Sequence, residues 1–225
     1  MIRLLVTSEG PTERIFVKTI LAPHLAQHNV FAESRCVLTS KDKRAAREFR
    51  GGLLGYEKVK ADIVTWFKQD DHPECRYTTM FDLYGLPNDF PGYEEAKKKS
   101  DPYERVKLLE NALADDIKNE YFIPYIQLHE FEALILADPQ KLDWEYLEHD
   151  RPISNLVKMV GSENPELIND GPETAPSKRI QKEIPEFHKP GAGVNVVAKI
   201  GLQVLRSKCR HFNEWLTRLE KMAAE

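Results

Sequence analysis

The chain has little cysteine: three residues in 225, Cys36, Cys75 and Cys209. They are widely spaced, odd in number and form no Cys-x-x-Cys pair, so neither a disulfide framework nor a zinc ribbon is supported. His188, Cys209 and His211 share a region, but lack a fourth partner and the usual zinc spacing. Long hydrophobic runs are missing too. No apolar stretch approaches the roughly 18 residues that a membrane span requires. There is no Walker pattern, which argues against an ATP-binding P-loop. An excess of positive charge is also absent. The net charge of −4 argues mildly against a generic nucleic-acid coat. Met1-Ile2-Arg3 runs straight into a strand pattern without a signal-peptide plan, so a cytoplasmic protein without a membrane partner is expected.

What is present suffices for a packed core: 41% hydrophobic and 30% charged residues. The charge is uneven. Residues 1–150 carry 20 Lys+Arg against 27 Asp+Glu, whereas residues 151–225 carry 12 against 9. An acidic front and a basic tail suit metal in one part and phosphate in the other, and suit chance equally.

The first thirteen residues organise the rest. Ile2-Arg3-Leu4-Leu5-Val6 reads as a buried strand. Glu9-Gly10-Pro11-Thr12-Glu13 then turns into an amphipathic helix over 14–25, with Pro11 suited to its first turn. Glu9 and Glu13 flank that turn. Each carboxylate is either a cap at a helix N-terminus or a ligand for a divalent cation. Further strands are predicted over 30–38, 76–82 and 121–128, with Pro124 marking an edge or bulge in the last. Helices are predicted over 56–68 and 103–119 between them. Strands alternating with helices imply an α/β fold, a mostly parallel sheet of about four strands flanked by helices.

Two more strand ends carry acids. Asp82 stands before Leu83-Tyr84-Gly85, and His129-Glu130-Phe131-Glu132 follows the strand that ends near Leu128. In open parallel sheets ligands lie beyond the carboxyl ends of the strands. Glu9, Asp82 and Glu130 or Glu132 there would form a site for a hard cation. Asp82 as a turn cap and His129 as a core or capping residue are the alternatives.

Two basic stretches stand out. One holds Lys41, Lys43, Arg44, Arg47 and Arg50 and ends in Gly51-Gly52; it reads as a solvated loop or as a phosphate-contacting one. The other is Pro176-Ser177-Lys178-Arg179, a helix start offering a hydroxyl, an ammonium and a guanidinium to phosphate, followed by a basic loop with Lys189. Beyond Asp138-Pro139 strand signals nearly vanish. The expected division is therefore an α/β domain over 1–140 and a helical C-terminal region over 141–225.

The three strand ends resemble the TOPRIM fold of topoisomerases, primases and OLD-type nucleases. Glu9 matches that fold's Glu, and Asp82 the first Asp of its Asp-x-Asp pair. Tyr84 stands where the second Asp is expected. More closely, the chain is similar to an uncharacterised TOPRIM-like bacterial family, domain-of-unknown-function family 4276, often found beside ABC-type ATPases and in anti-phage defence settings. The shared segments are Glu9-Gly10-x-Thr12-Glu13, Arg50-Gly51-Gly52, Asp82-x-Tyr84-Gly85, His129-Glu130-x-Glu132, Pro176-Ser177-Lys178-Arg179, Ile200-Gly201-Leu202 and Cys209-x-His211-Phe212.

The resemblance implies a nuclease dependent on Mg²⁺ or Mn²⁺. Glu9, Asp82, Glu130 and Glu132 would hold metal, and Glu9, Glu13 or His129 would move protons. Arg50, Ser177, Lys178, Arg179 and Lys189 would meet DNA or RNA. An ABC-type ATPase is the expected partner. The alternative is a degenerate scaffold that binds nucleic acid or that ATPase.

Overall fold

A computed structural model describes residues 1–42, 47–50, 52–168, 171 and 174–224, with side chains for all of these but 38–42, 47–50 and 189. Two compact units emerge: Met1–Ile126 with Arg218–Glu225, and Gln127–Thr217.

The first unit is built on a parallel sheet. Its strands are β1 (Ile2–Ser8), β2 (Val30–Cys36), β5 (Cys75–Asp82) and β6 (Phe122–Ile123), in the order β2-β1-β5-β6. β1 pairs in parallel with both β2 and β5, and β6 pairs in parallel with β5. β1 is central and buried over nearly its whole length, which explains its unbroken apolar run. The strand predicted over 121–128 is split. β6 is followed by Pro124-Tyr125 and then by β7 (Ile126–Gln127), which also pairs with β5. Proline cannot donate to a ladder, and the break falls at it. Thr79 stitches the gap: its hydroxyl donates to the Tyr125 carbonyl and accepts the Tyr125 N–H, each at 2.9 Å.

The basic stretch predicted as a loop holds an antiparallel ribbon instead, β3 (Leu38–Asp42) with β4 (Arg47–Arg50). Residues 43–46, with Lys43 and Arg44, and Gly51 lie outside the described residues.

The first helical stretch starts as α1 (Pro11–Phe16), passes through a π-helical turn (Val17–Leu21) and ends as α2 (Ala22–Ala26). α3 (Tyr56–Gln69) buries Val59, Ile63 and Trp66, the face its spacing predicts. Phe67 packs its ring at a tilt against Tyr77 of β5 and Phe122 of β6, at centroid distances of 4.2 and 5.8 Å. From β2, Arg35 lays its guanidinium over the Trp66 ring at 4.1 Å. A short helix, α4 (Tyr93–Ala96), precedes α5 (Pro102–Ile117). α5 starts where Asp101 caps Tyr103 N–H at 2.9 Å.

The second unit is helical. Its centre is a 3₁₀ segment, Phe131–Ala137, all seven residues of which are buried. Runs this long are uncommon in 3₁₀ form; here the segment is all apolar but for Glu132. Around it lie α6 (Asp150–Val160), α7 (Pro176–Glu183), α8 (Val194–Ile200), α9 (Leu202–Lys208) and α10 (Arg210–Lys221), which crosses the boundary between the units. Gly201, at φ +80°, divides α8 from α9. Lys189–Gly193, expected as a loop, forms a π-helical turn.

Candidate functional site

β1 and β5 run side by side with Ser8 opposite Met80, so their next residues emerge at one edge. Glu9 is fixed there through its backbone: its N–H donates to the Met80 carbonyl and its carbonyl accepts from Gly52 N–H, both at 3.0 Å. Gly52 is in left-handed backbone at φ +76°, which glycine adopts without strain. The Glu9 side chain then turns toward β5, where Oε2 accepts the Asp82 N–H at 2.9 Å.

Gly85 makes this possible. A Cβ placed on Gly85 would lie 2.3 and 2.4 Å from the two Glu9 carboxylate oxygens. Any other residue at 85 would push that carboxylate aside, so Asp82-x-Tyr84-Gly85 and Glu9 form one unit of structure. Glu9 and Asp82 are both partly exposed, although Asp82 Oδ1 is shielded from solvent. Two carboxyl-bearing residues from adjacent central strands, with part of their surface open, have the hard oxygen donors that a small divalent cation takes. Tyr84, where a second Asp is expected, is 38% exposed and adds no carboxylate.

Glu13 does something else. It is buried, and its Oε2 accepts the Gly10 N–H at 2.8 Å, closing the first turn of α1 as a capping box does. The capping alternative thus describes Glu13.

The acids near 130 belong to the second unit. Glu130 Oε2 accepts the N–H of Ser177, the second residue of α7, at 3.0 Å. The residue before α7, Ala175, has no side chain able to cap, so a glutamate distant in sequence does that task. The helix N-terminus read as a phosphate site therefore holds a carboxylate, and Ser177 is buried beside it. Lys178 is exposed, while Arg179 turns back to the Thr174 carbonyl at 2.7 Å. Glu132 and His129 are 1% and 2% exposed, His129 in left-handed backbone at φ 62°. The side chains of Arg50 and Lys189 lie outside the described residues.

Sequence reasoning missed Glu166 altogether. It is fully buried and accepts the N–H groups of His211 and Phe212, in the first turn of α10, at 2.9 and 3.0 Å. Its local signal, over 165–168, reads only as a short helix, and a 3₁₀ turn forms there at Pro165–Leu167. Also missed was His24-x₃-His28, whose spacing puts two imidazoles on one side of a helical stretch. The rings are 5.2 Å apart between centroids, and both lie by Glu220.

Fold and residues together define an α/β protein with an acidic pair at the carboxyl edge of its two central parallel strands. The chain belongs to the family described as Domain of unknown function (DUF4276), whose model matches residues 8–220. No curated protein and no solved structure matches it significantly. Among the described residues no helix is long and apolar enough to cross a membrane.

Proposed function

We propose that the chain is a phosphodiester-cleaving hydrolase whose Glu9 and Asp82 hold one Mg²⁺ or Mn²⁺. The observation that carries this is their convergence on adjacent strands, with Gly85 leaving room for the Glu9 carboxylate. The bound ion would supply charge to a phosphodiester oxygen and lower the pKa of a water. The chain's own part is to hold both acids at one rim. Glu9 bonds to the Asp82 backbone, and Asp82 stands just before the tight turn at Leu83–Gly85. Of the side chains expected to meet phosphate, Ser177 is buried, Arg179 turns to the Thr174 carbonyl and Lys178, in the second unit, is exposed. Glu130 and Glu132 are left out of this minimal set, because one caps α7 and the other is buried. The burial of His129 makes it a core residue in this reading, not a proton carrier. DNA or RNA is the substrate class, and the TOPRIM likeness with an ABC-type ATPase partner in phage defence is part of the same proposal.

The test is Mn²⁺ titration calorimetry alongside cleavage of labelled single- and double-stranded DNA and RNA. Wild type should bind Mn²⁺ and cut at least one substrate; Asp82→Asn should do neither. Cleavage undiminished in Asp82→Asn would end the proposal.

A second reading has its own observation. One Glu9 oxygen already accepts a backbone N–H, and Tyr84 stands in place of an acid. A scaffold with no metal, binding nucleic acid or an ATPase, fits these facts. Nucleic-acid binding with no Mn²⁺ heat would select it.

A further inference from the structure

We infer that His24, His28 and Glu220 form a second, separate metal site, one for a zinc-class divalent ion. It lies within the first unit, to which both α2 and the end of α10 belong. One ligand atom from each of the three residues falls within 4.8 Å of the other two. His24 Nε2 is 2.6 Å and His28 Nε2 3.9 Å from Glu220 Oε1. The Glu220 side chain is 11% exposed, whereas those of His24 and His28 are 25% and 40% exposed, so the triad is open to an arriving ion.

The donor set decides the class of ion. Two imidazole nitrogens and one carboxylate oxygen suit Zn²⁺ and its neighbours in the first transition row; Mg²⁺ and Ca²⁺ prefer oxygen alone. Zinc bonds to such atoms are about 2.0–2.2 Å, which sets tetrahedral ligand atoms roughly 3.3 Å apart. The observed separations of 2.6 and 3.9 Å bracket that value. An ion would therefore lengthen the His24 contact and shorten the His28 contact, each by less than about 1 Å. His24 would give up the proton it shares with Glu220, by moving to the Nδ1–H tautomer or by release to solvent. Water completes the fourth position.

Location supports a clip, not a catalytic centre. α2 ends shortly before β2, whose first residue Val30 pairs with Ile2, the first residue of β1. Glu9 follows the other end of β1, about 20 Å away along a strand of this length. Glu220, in the last turn of α10, comes from far along the chain, so the ion would fasten the C-terminal end of the chain to the first helical stretch.

The test uses the full, tag-free chain with Co²⁺ as the visible probe and Zn²⁺ as competitor. With excess Mg²⁺ present to fill the proposed Glu9–Asp82 site, wild type should bind one Co²⁺ with visible absorption, lose it to Zn²⁺, and melt at higher temperature with Zn²⁺ present. His28→Ala and Glu220→Gln should each weaken binding at least about tenfold. His28→Ala spares the shorter His24 contact, and Glu220→Gln keeps an acceptor for His24, so the metal-free melting curves check that both variants fold. Asp82→Asn should bind Co²⁺ as wild type does, which separates this site from the proposed Mn²⁺ one. Absence of a cobalt spectrum in wild type would overturn the inference and leave an ion pair only. A spectrum undiminished in both variants would overturn it as well.

Discussion

The two units put acidic side chains to different uses. In the first, Glu9 and Asp82 sit at the rim of a parallel sheet, partly exposed, and one binds the backbone beside the other. In the second, Glu130 and Glu166 each cap a helix from a distant part of the chain, and Glu166 has no contact with solvent. The carboxylates of Glu9, Glu130 and Glu166 all accept backbone N–H groups, so hydrogen bonding alone does not separate a structural acid from one proposed to hold metal. Neighbours separate them. Glu130 is partly exposed, as Glu9 and Asp82 are, but its carboxylate caps α7, and Glu166 is sealed from solvent, whereas the strand end at Glu9 has a glycine cleared beneath its carboxylate.

The comparison is broken most directly at Glu166. Glu166→Ala would leave two buried N–H groups of α10 without their acceptor, at about 1–3 kcal/mol each. Urea denaturation should show a loss of about 2–6 kcal/mol in all. A loss below about 0.5 kcal/mol would mean that α10 does not depend on this carboxylate.

Gly85→Ala probes the first unit in the opposite sense. The obstacle to the new methyl is the far end of a flexible glutamate, so the fold should survive while the Glu9 carboxylate is displaced. Mn²⁺ affinity should fall at least about tenfold, equal to about 1.4 kcal/mol, with an unchanged melting midpoint. Equal affinity in the variant would remove Glu9 from the proposed site. Glu130→Gln is the matched experiment on the second unit. It should cost about 1 kcal/mol of stability through its effect on α7 and leave Mn²⁺ binding as it was. A variant that loses Mn²⁺ binding but no stability would restore Glu130 as a ligand.

Much of the fold was legible because it rests on local pattern. The apolar run of β1, the period of α3 and the proline opening α7 predict those elements nearly in place. The acids at strand ends were legible as positions but not as roles. Nothing local to Glu130 says that its carboxylate reaches Ser177, and nothing local to Ala175 says that its helix is capped from elsewhere. The ribbon β3–β4 was hidden by its charge, since Lys and Arg in strands weaken the apolar alternation that marks them. His24 and His28 have a readable spacing, but Glu220 becomes their neighbour only when the last helix returns to the first unit.

The smallest expected effect sets the units against each other through pH. In the first unit Lys60 bonds to Asp116 at 2.8 Å and Tyr56 donates to the same carboxylate. Lys60 first, then Tyr56, holds the Asp116 carboxyl below its ordinary 3.8. A depressed carboxyl pKa adds stability above the unfolded value, and that stability is lost as pH falls through the folded one. In the second unit the Leu147 carbonyl at His149 Nδ1, with the Glu186 carboxylate at Nε2, raises the imidazole above 6.5. A raised imidazole pKa works the other way: its stability is full below 6.5 and is lost as pH rises through the folded value. Hydrogen exchange, corrected for intrinsic rates, should therefore show α6 amides losing some protection between slightly acid and slightly alkaline pH, while α3 amides hold theirs until strongly acid pH. His149→Gln should flatten the α6 dependence and leave α3 unchanged. If α6 protection instead rises with pH in wild type, the imidazolium is not what its two acceptors hold.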